Sequence, residues 1–136
     1  MQTLSEADVR QRISERLDTS EFAGKKVLLI VPDATRTAPL PLLFEAVHGQ
    51  LTSAGASVDV MIALGTHPAM PEEAILKLLG ISDEDRAGKY ADVGLFNHEW
   101  DNPDALTSIG ELSKADVEEI SDGLLSLDVD VQINAK

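Results

Sequence analysis

The residues of this chain best suited to chemistry fall in two short stretches, Pro32-Asp33-Ala34-Thr35-Arg36-Thr37-Ala38-Pro39 and Leu64-Gly65-Thr66-His67-Pro68-Ala69-Met70-Pro71. In the first, Asp33 and Thr35 are types that bond to nearby backbone and fix a loop. Arg36 carries a planar fork suited to a carboxylate or a phosphate. The loop feeds a helix expected from Pro39, whose free N–H groups favour an anion. The plain alternative is a turn in which Asp33 pairs with Arg36. In the second stretch, Gly65 permits a sharp turn and presents His67, whose ordinary pKa of about 6.5 suits general acid–base work. Its plain alternative is a surface histidine in a loop. A third stretch, Asn97-His98-Glu99-Trp100-Asp101, offers His98 and Trp100 as lining for the same crevice, or a turn with Trp100 packed over the domain edge. His48 is read as a surface position inside a helix. Neither the histidines nor the carboxylates have a convincing metal-ligand spacing.

These residues need a scaffold that holds them at one edge. Ser5 to Leu17 reads as an amphipathic helix capped by Ser5 with Asp8 at the capping-box distance, and Val9, Ile13 and Leu17 facing inward. Val27 to Val31 is an unbroken apolar run ended by Pro32, the pattern of a strand buried on both faces. A helix follows from Pro39 to about Thr52, with Leu42, Leu43, Ala46, Val47 and Leu51 as its buried stripe and Gly55 as its stop. Val58 to Leu64 is a second strand, completing a βαβ unit whose crossover is expected to be right-handed. Pro71 opens a helix that Gly80 stops. Ser82 to Ala91 reads as a loop and Asp92 to Phe96 as a third strand. Thr107–Leu112 and Val129–Ile133 read as short strands, with a helical turn at Lys114–Ile120 between them. The fold class is therefore α/β, an open, mainly parallel sheet with flanking helices, as one domain over residues 1–136. A doubly wound sheet would continue with a helix after Ile133, so the sequence reads as truncated at its C-terminus.

Composition narrows the function. Of 136 residues, 43% are hydrophobic but only 4% aromatic, so the core must be largely aliphatic. The formal charge of −13 repels phosphate backbones and argues against nucleic acid as a partner. With no cysteine, disulfides and thiolate metal sites are excluded. No run approaches the roughly 18 apolar residues of a membrane span, and the N-terminus does not look like a secretory signal, so a cytoplasmic protein is expected.

With the two loops in view, the sequence resembles the N-terminal domain of the lactate racemase family from about Val27 to Asn134. The resemblance rests on the Asp-x-Thr-Arg loop, here Asp33-Ala34-Thr35-Arg36, and one βα unit later the Gly65-Thr66-His67 turn. It implies a nickel-pincer nucleotide that accepts and returns a hydride at the hydroxyl-bearing carbon of a 2-hydroxy acid. It implies that His67 exchanges the hydroxyl proton as one of two catalytic histidines, and that Arg36 holds the substrate carboxylate or a nearby anion. Asp33, Thr35 and Thr66 are placed at the cofactor, Asp33 organising it together with Arg36 and the threonines supporting the loops. The family's tethering lysine, nickel-binding histidine and second catalytic histidine lie further along than this sequence extends, in a C-terminal region that is then a required partner. Lys25, Lys26, His48 and His98 are not assigned to those roles. The competing functions are a non-catalytic α/β module that binds a small anion or nucleotide through Arg36, and an assembly role through an exposed sheet edge.

Overall fold

The computed structural model describes residues 4–135, which form two compact units, one up to Asn97 and one from His98. The first contains a three-stranded parallel sheet in the order β1 (Lys26–Pro32), β2 (Ser57–Ala63), β3 (Leu95–Asn97). Four helices accompany it: α1 (Glu6–Arg16), α2 (Leu40–Ser53), α3 (Glu72–Leu79) and α4 (Asp83–Ala87). The second contains the antiparallel pair β4 (Leu106–Leu112) and β5 (Val129–Asn134), with α5 (Lys114–Ile120) between them in sequence. The α/β class and parallel sheet are as expected, while the last two strands pair with each other rather than extending it. Among the described residues no helix is long and apolar enough to cross a membrane.

Local chemistry sets the element boundaries. Ser5 and Asp8 form the anticipated capping box on α1, and Ser113 and Asp116 form another on α5. Gly80 ends α3 in the left-handed conformation at φ 69°. The segment read as a loop after Ser82 holds the short helix α4, because Ser82 caps it by accepting the Asp85 N–H.

Strand β2 lies in the middle of the sheet, and its five residues from Val58 to Ile62 are all buried. Strand β1 is an edge, which corrects the expectation of burial on both faces. Val27, Leu29 and Val31 pack against the core, whereas Ile30 is 68% exposed. An unbroken apolar run has no alternation from which to tell an edge strand from a central one.

The main core joins Val60, Ile62 and Leu64 to Phe44, Ile75, Leu79, Ile81, Tyr90 and Val93. On α2 the fully buried positions are Leu40, Phe44, His48 and Leu51, so the stripe is rotated from the one anticipated. His48 is thus a core residue, in a three-ring cluster with Phe44 and Tyr90 at ring-centroid distances of 5.4 and 4.9 Å. Its Nδ1 meets no hydrogen-bond partner among the described residues, and burial, aided by the nearby Lys89 charge, holds its pKa below the usual histidine value. Asp59, buried within β2, accepts the Gly94 N–H at 2.8 Å and pairs with Lys26 at 2.8 Å. A Cβ on Gly94 would lie 2.6 Å from the Asp59 Oδ1, so glycine is required where the chain enters β3.

Candidate functional site

Parallel pairing brings the two loops together. The β1–β2 register sets Pro32 opposite Ala63, so Asp33 and Leu64 leave the sheet side by side at the carboxyl ends of adjacent strands. Open α/β sheets present ligand sites at such ends. A cleft of about 490 Å³ opens there, lined by Asp33, Thr35, Arg36, Gly65, Thr66 and His67 among others.

Asp33 is buried at 6% exposure, and its carboxylate accepts three hydrogen bonds. Its Oδ1 takes the Thr35 N–H at 3.1 Å and the Thr35 hydroxyl at 2.5 Å. Its Oδ2 lies 2.6 Å from the Nδ1 of His67. The Arg36 N–H closes the turn onto the Asp33 carbonyl at 3.3 Å. The Thr35 hydroxyl first, and the His67 ring next, pull the Asp33 carboxyl down to about 2, against the upward push of partial burial. Asp33 is therefore an anion throughout the range in which a histidine titrates.

That anion defines His67. A carboxylate can only accept, so the shared proton resides on Nδ1 and the lone pair of the neutral ring falls to Nε2. The turn that delivers the ring is held by the His67 N–H on the Leu64 carbonyl at 3.1 Å, with Gly65 at φ 59°. The His67 side chain is 56% exposed, whereas that of Asp33 is 9% exposed. A buried carboxylate orienting an exposed imidazole equips His67 to take up and return a proton, because the negative charge stabilises the imidazolium that forms.

Arg36 is exposed and makes no side-chain hydrogen bond or ion pair among the described residues. The alternative Asp33–Arg36 pair is not formed, since Thr35 and His67 occupy the carboxylate instead. Thr66 is exposed on the opposite loop. Helix α2 begins after Pro39 with no side-chain cap. The structure thus gathers Asp33, Thr35, Arg36, Thr66 and His67 at one cleft. His98 and Trp100 fall in the second unit, and Trp100 is 43% exposed. Asn97, the last residue of β3, is the functional candidate that sequence reasoning passed over: its side chain bonds both the N–H and the carbonyl of Met70. Its position at a third strand end was the signal available. Among the described residues no three histidine, cysteine, aspartate or glutamate side chains converge on a possible metal ion.

The chain matches the lactate racemase N-terminal domain family over residues 5–134. A crystal structure of a protein from Thermotoga maritima has the same fold, with a TM-score of 0.81 and 30% sequence identity over 96% of this chain. The chain spans 30% of the length of that protein. No curated protein matches it.

Proposed function

Because the chain belongs to the lactate racemase family as an N-terminal domain, we propose that it is part of an enzyme that interconverts the stereoisomers of a 2-hydroxy acid. The observation that carries this reading is the 2.6 Å bond from the buried Asp33 carboxylate to His67, one loop away from the unpaired Arg36. A 2-hydroxy acid needs a cation for its carboxylate and a proton acceptor for its hydroxyl, and Arg36 and His67 are such groups.

In this reading Arg36 grips the carboxylate with its fork and sets the hydroxyl toward the opposite loop. Nε2 of His67 would take the proton of that hydroxyl. The resulting imidazolium would be steadied by Asp33 through Nδ1–H; His67 would serve one isomer, taking its hydroxyl proton or giving one back, and the opposite isomer would use the second acid–base group. Thr35 acts one step further out by locking the Asp33 carboxylate in place.

The hydride acceptor is not among these side chains. The family's nickel-pincer nucleotide supplies it when bound. Arg36 and Thr66, which line the cleft, are the donors at hand for the anionic portion of such a nucleotide. The cleft does not supply the nickel ligands or the tether, and we assign those to chain beyond these residues, together with the second acid–base group.

The test is D/L interconversion across a panel of 2-hydroxy acids by the cofactor-matured full-length protein, with His67→Ala beside it. Interconversion that disappears in the variant supports the reading. Activity that survives intact removes His67 from the chemistry. No activity on any acid, combined with anion binding that depends on Arg36 but not on His67, would replace the enzyme with a binding module.

A further inference from the structure

Backbone polar groups in a loop must find partners, and the loop that carries His67 has an unusual one. The loop leaves β2 at Leu64, which is 3% exposed within the main core, and rejoins that core at Met70, whose side chain packs against the same cluster. The five residues between them, 65–69, are all exposed. Helix α3 starts only at Glu72, so Met70 belongs to no regular element. Its two backbone groups are taken by one side chain. Oδ1 of Asn97 accepts the Met70 N–H at 3.0 Å, and Nδ2 of Asn97 donates to the Met70 carbonyl at 2.9 Å. Only this orientation of the amide satisfies both groups. Two bonds to one residue fix its orientation as well as its place.

Asn97 is itself anchored, because its backbone is paired with Ile62 of β2, two residues before the loop begins. The third strand therefore reaches the site through a carboxamide that closes the His67 loop at its far end. We propose that Asn97 is a positioning residue: by clamping Met70 it holds the loop in the one conformation that keeps Nδ1 of His67 on the Asp33 carboxylate. The catalytic consequence rests on the role given to His67 above, whereas the geometric consequence does not.

The test follows the Nδ1 proton of His67 by NMR in the full chain, its resonance identified by its loss in His67→Ala. The variants are Asn97→Ala, which removes both bonds, and the isosteric Asn97→Asp, which keeps an acceptor for the Met70 N–H but sets a carboxylate against its carbonyl. Loss of that resonance, or exchange with water faster by at least about tenfold, the factor for one lost hydrogen bond, is expected in both. In the cofactor-matured full-length protein kcat falls by a similar factor while KM holds. If Asn97→Ala does not fold, Asn97→Asp decides. A folded variant with an unchanged Nδ1 resonance overturns the proposal, even if its Tm is lower, because that is what a merely structural role predicts. Loss of the resonance in variants of a protein with no racemase activity would uphold the clamp while removing the proposed reaction.

Discussion

Asp33→Asn is the substitution that separates a working dyad from a mere neighbourhood. Asparagine has the same shape and can keep its carbonyl oxygen on Thr35, where Oδ1 now takes the N–H and the hydroxyl at 3.1 and 2.5 Å. The amide nitrogen must then occupy the place of Oδ2, 2.6 Å from Nδ1 of His67. A donor there forces Nδ1 to accept and moves the ring proton to Nε2. The nitrogen assigned to the substrate hydroxyl is then already protonated, and the imidazolium loses its counter-charge. General acid–base catalysis contributes about 100- to 10,000-fold, so kcat should fall within that range. KM should change little, because Asp33 is not placed against the substrate. The assay is D/L interconversion by the full-length protein, paired with nitrogen-detected NMR of the His67 tautomer. A variant whose ring proton has moved to Nε2 but whose kcat is within twofold of the parent would refute the reasoning. So would an unchanged tautomer.

Arg36→Ala removes an exposed, unpaired side chain, so Tm should not change, while KM for a 2-hydroxy acid should rise about 10- to 100-fold, the value of a charge-assisted bond; an unchanged KM would place the carboxylate elsewhere. His48→Phe keeps the ring contacts with Phe44 and Tyr90, removes the orphaned Nδ1 and should stabilise the fold by about 1 kcal/mol in urea titrations. His48 has a depressed folded pKa, so its contribution is present above about pH 6.5 and is lost as pH falls, the unfolded chain taking up the proton first. The variant should therefore lose less stability than the parent between pH 7 and 5.5, and an equal loss would take His48 out of the acid response. Gly94→Ala drives a methyl against Asp59 and should cost about 1–3 kcal/mol, while Gly65→Ala, which meets no atom within 4 Å, should act only through its positive φ.

What the sequence could and could not reveal follows from the range of each interaction. The α1 capping box spans three residues and is legible as a string, and the strand, helix, strand order places Asp33 and His67 at strand ends without any coordinates. Their pairing spans 34 residues and depends on a register of Pro32 against Ala63 that no local pattern encodes. The turn around Asp33 admits either Arg36 or a distant partner, and only the position of β2 decides between them. His48 is different, because its signal was present: Leu40, Phe44, His48 and Leu51 recur at helical spacing. A histidine in that series reads as surface only if polarity is allowed to outrank periodicity. Asn97 was visible as a residue but not as a clamp, since its partner is an unpaired backbone, which carries no side-chain signature.

The same register accounts for why the site needs both loops. Asp33 by itself would be an acidic turn residue satisfied by Thr35, and His67 by itself would be an exposed imidazole free to rotate. Adjacent parallel strands end at the same level, so the edge of the sheet aligns them as a consequence of backbone pairing rather than of any attraction between the side chains. The attraction then acts on groups already in place, which is how a single bond can set a tautomer. Any change that slips β1 against β2 by one residue would turn Asp33 to the opposite face and dissolve the dyad while leaving both motifs intact in the sequence.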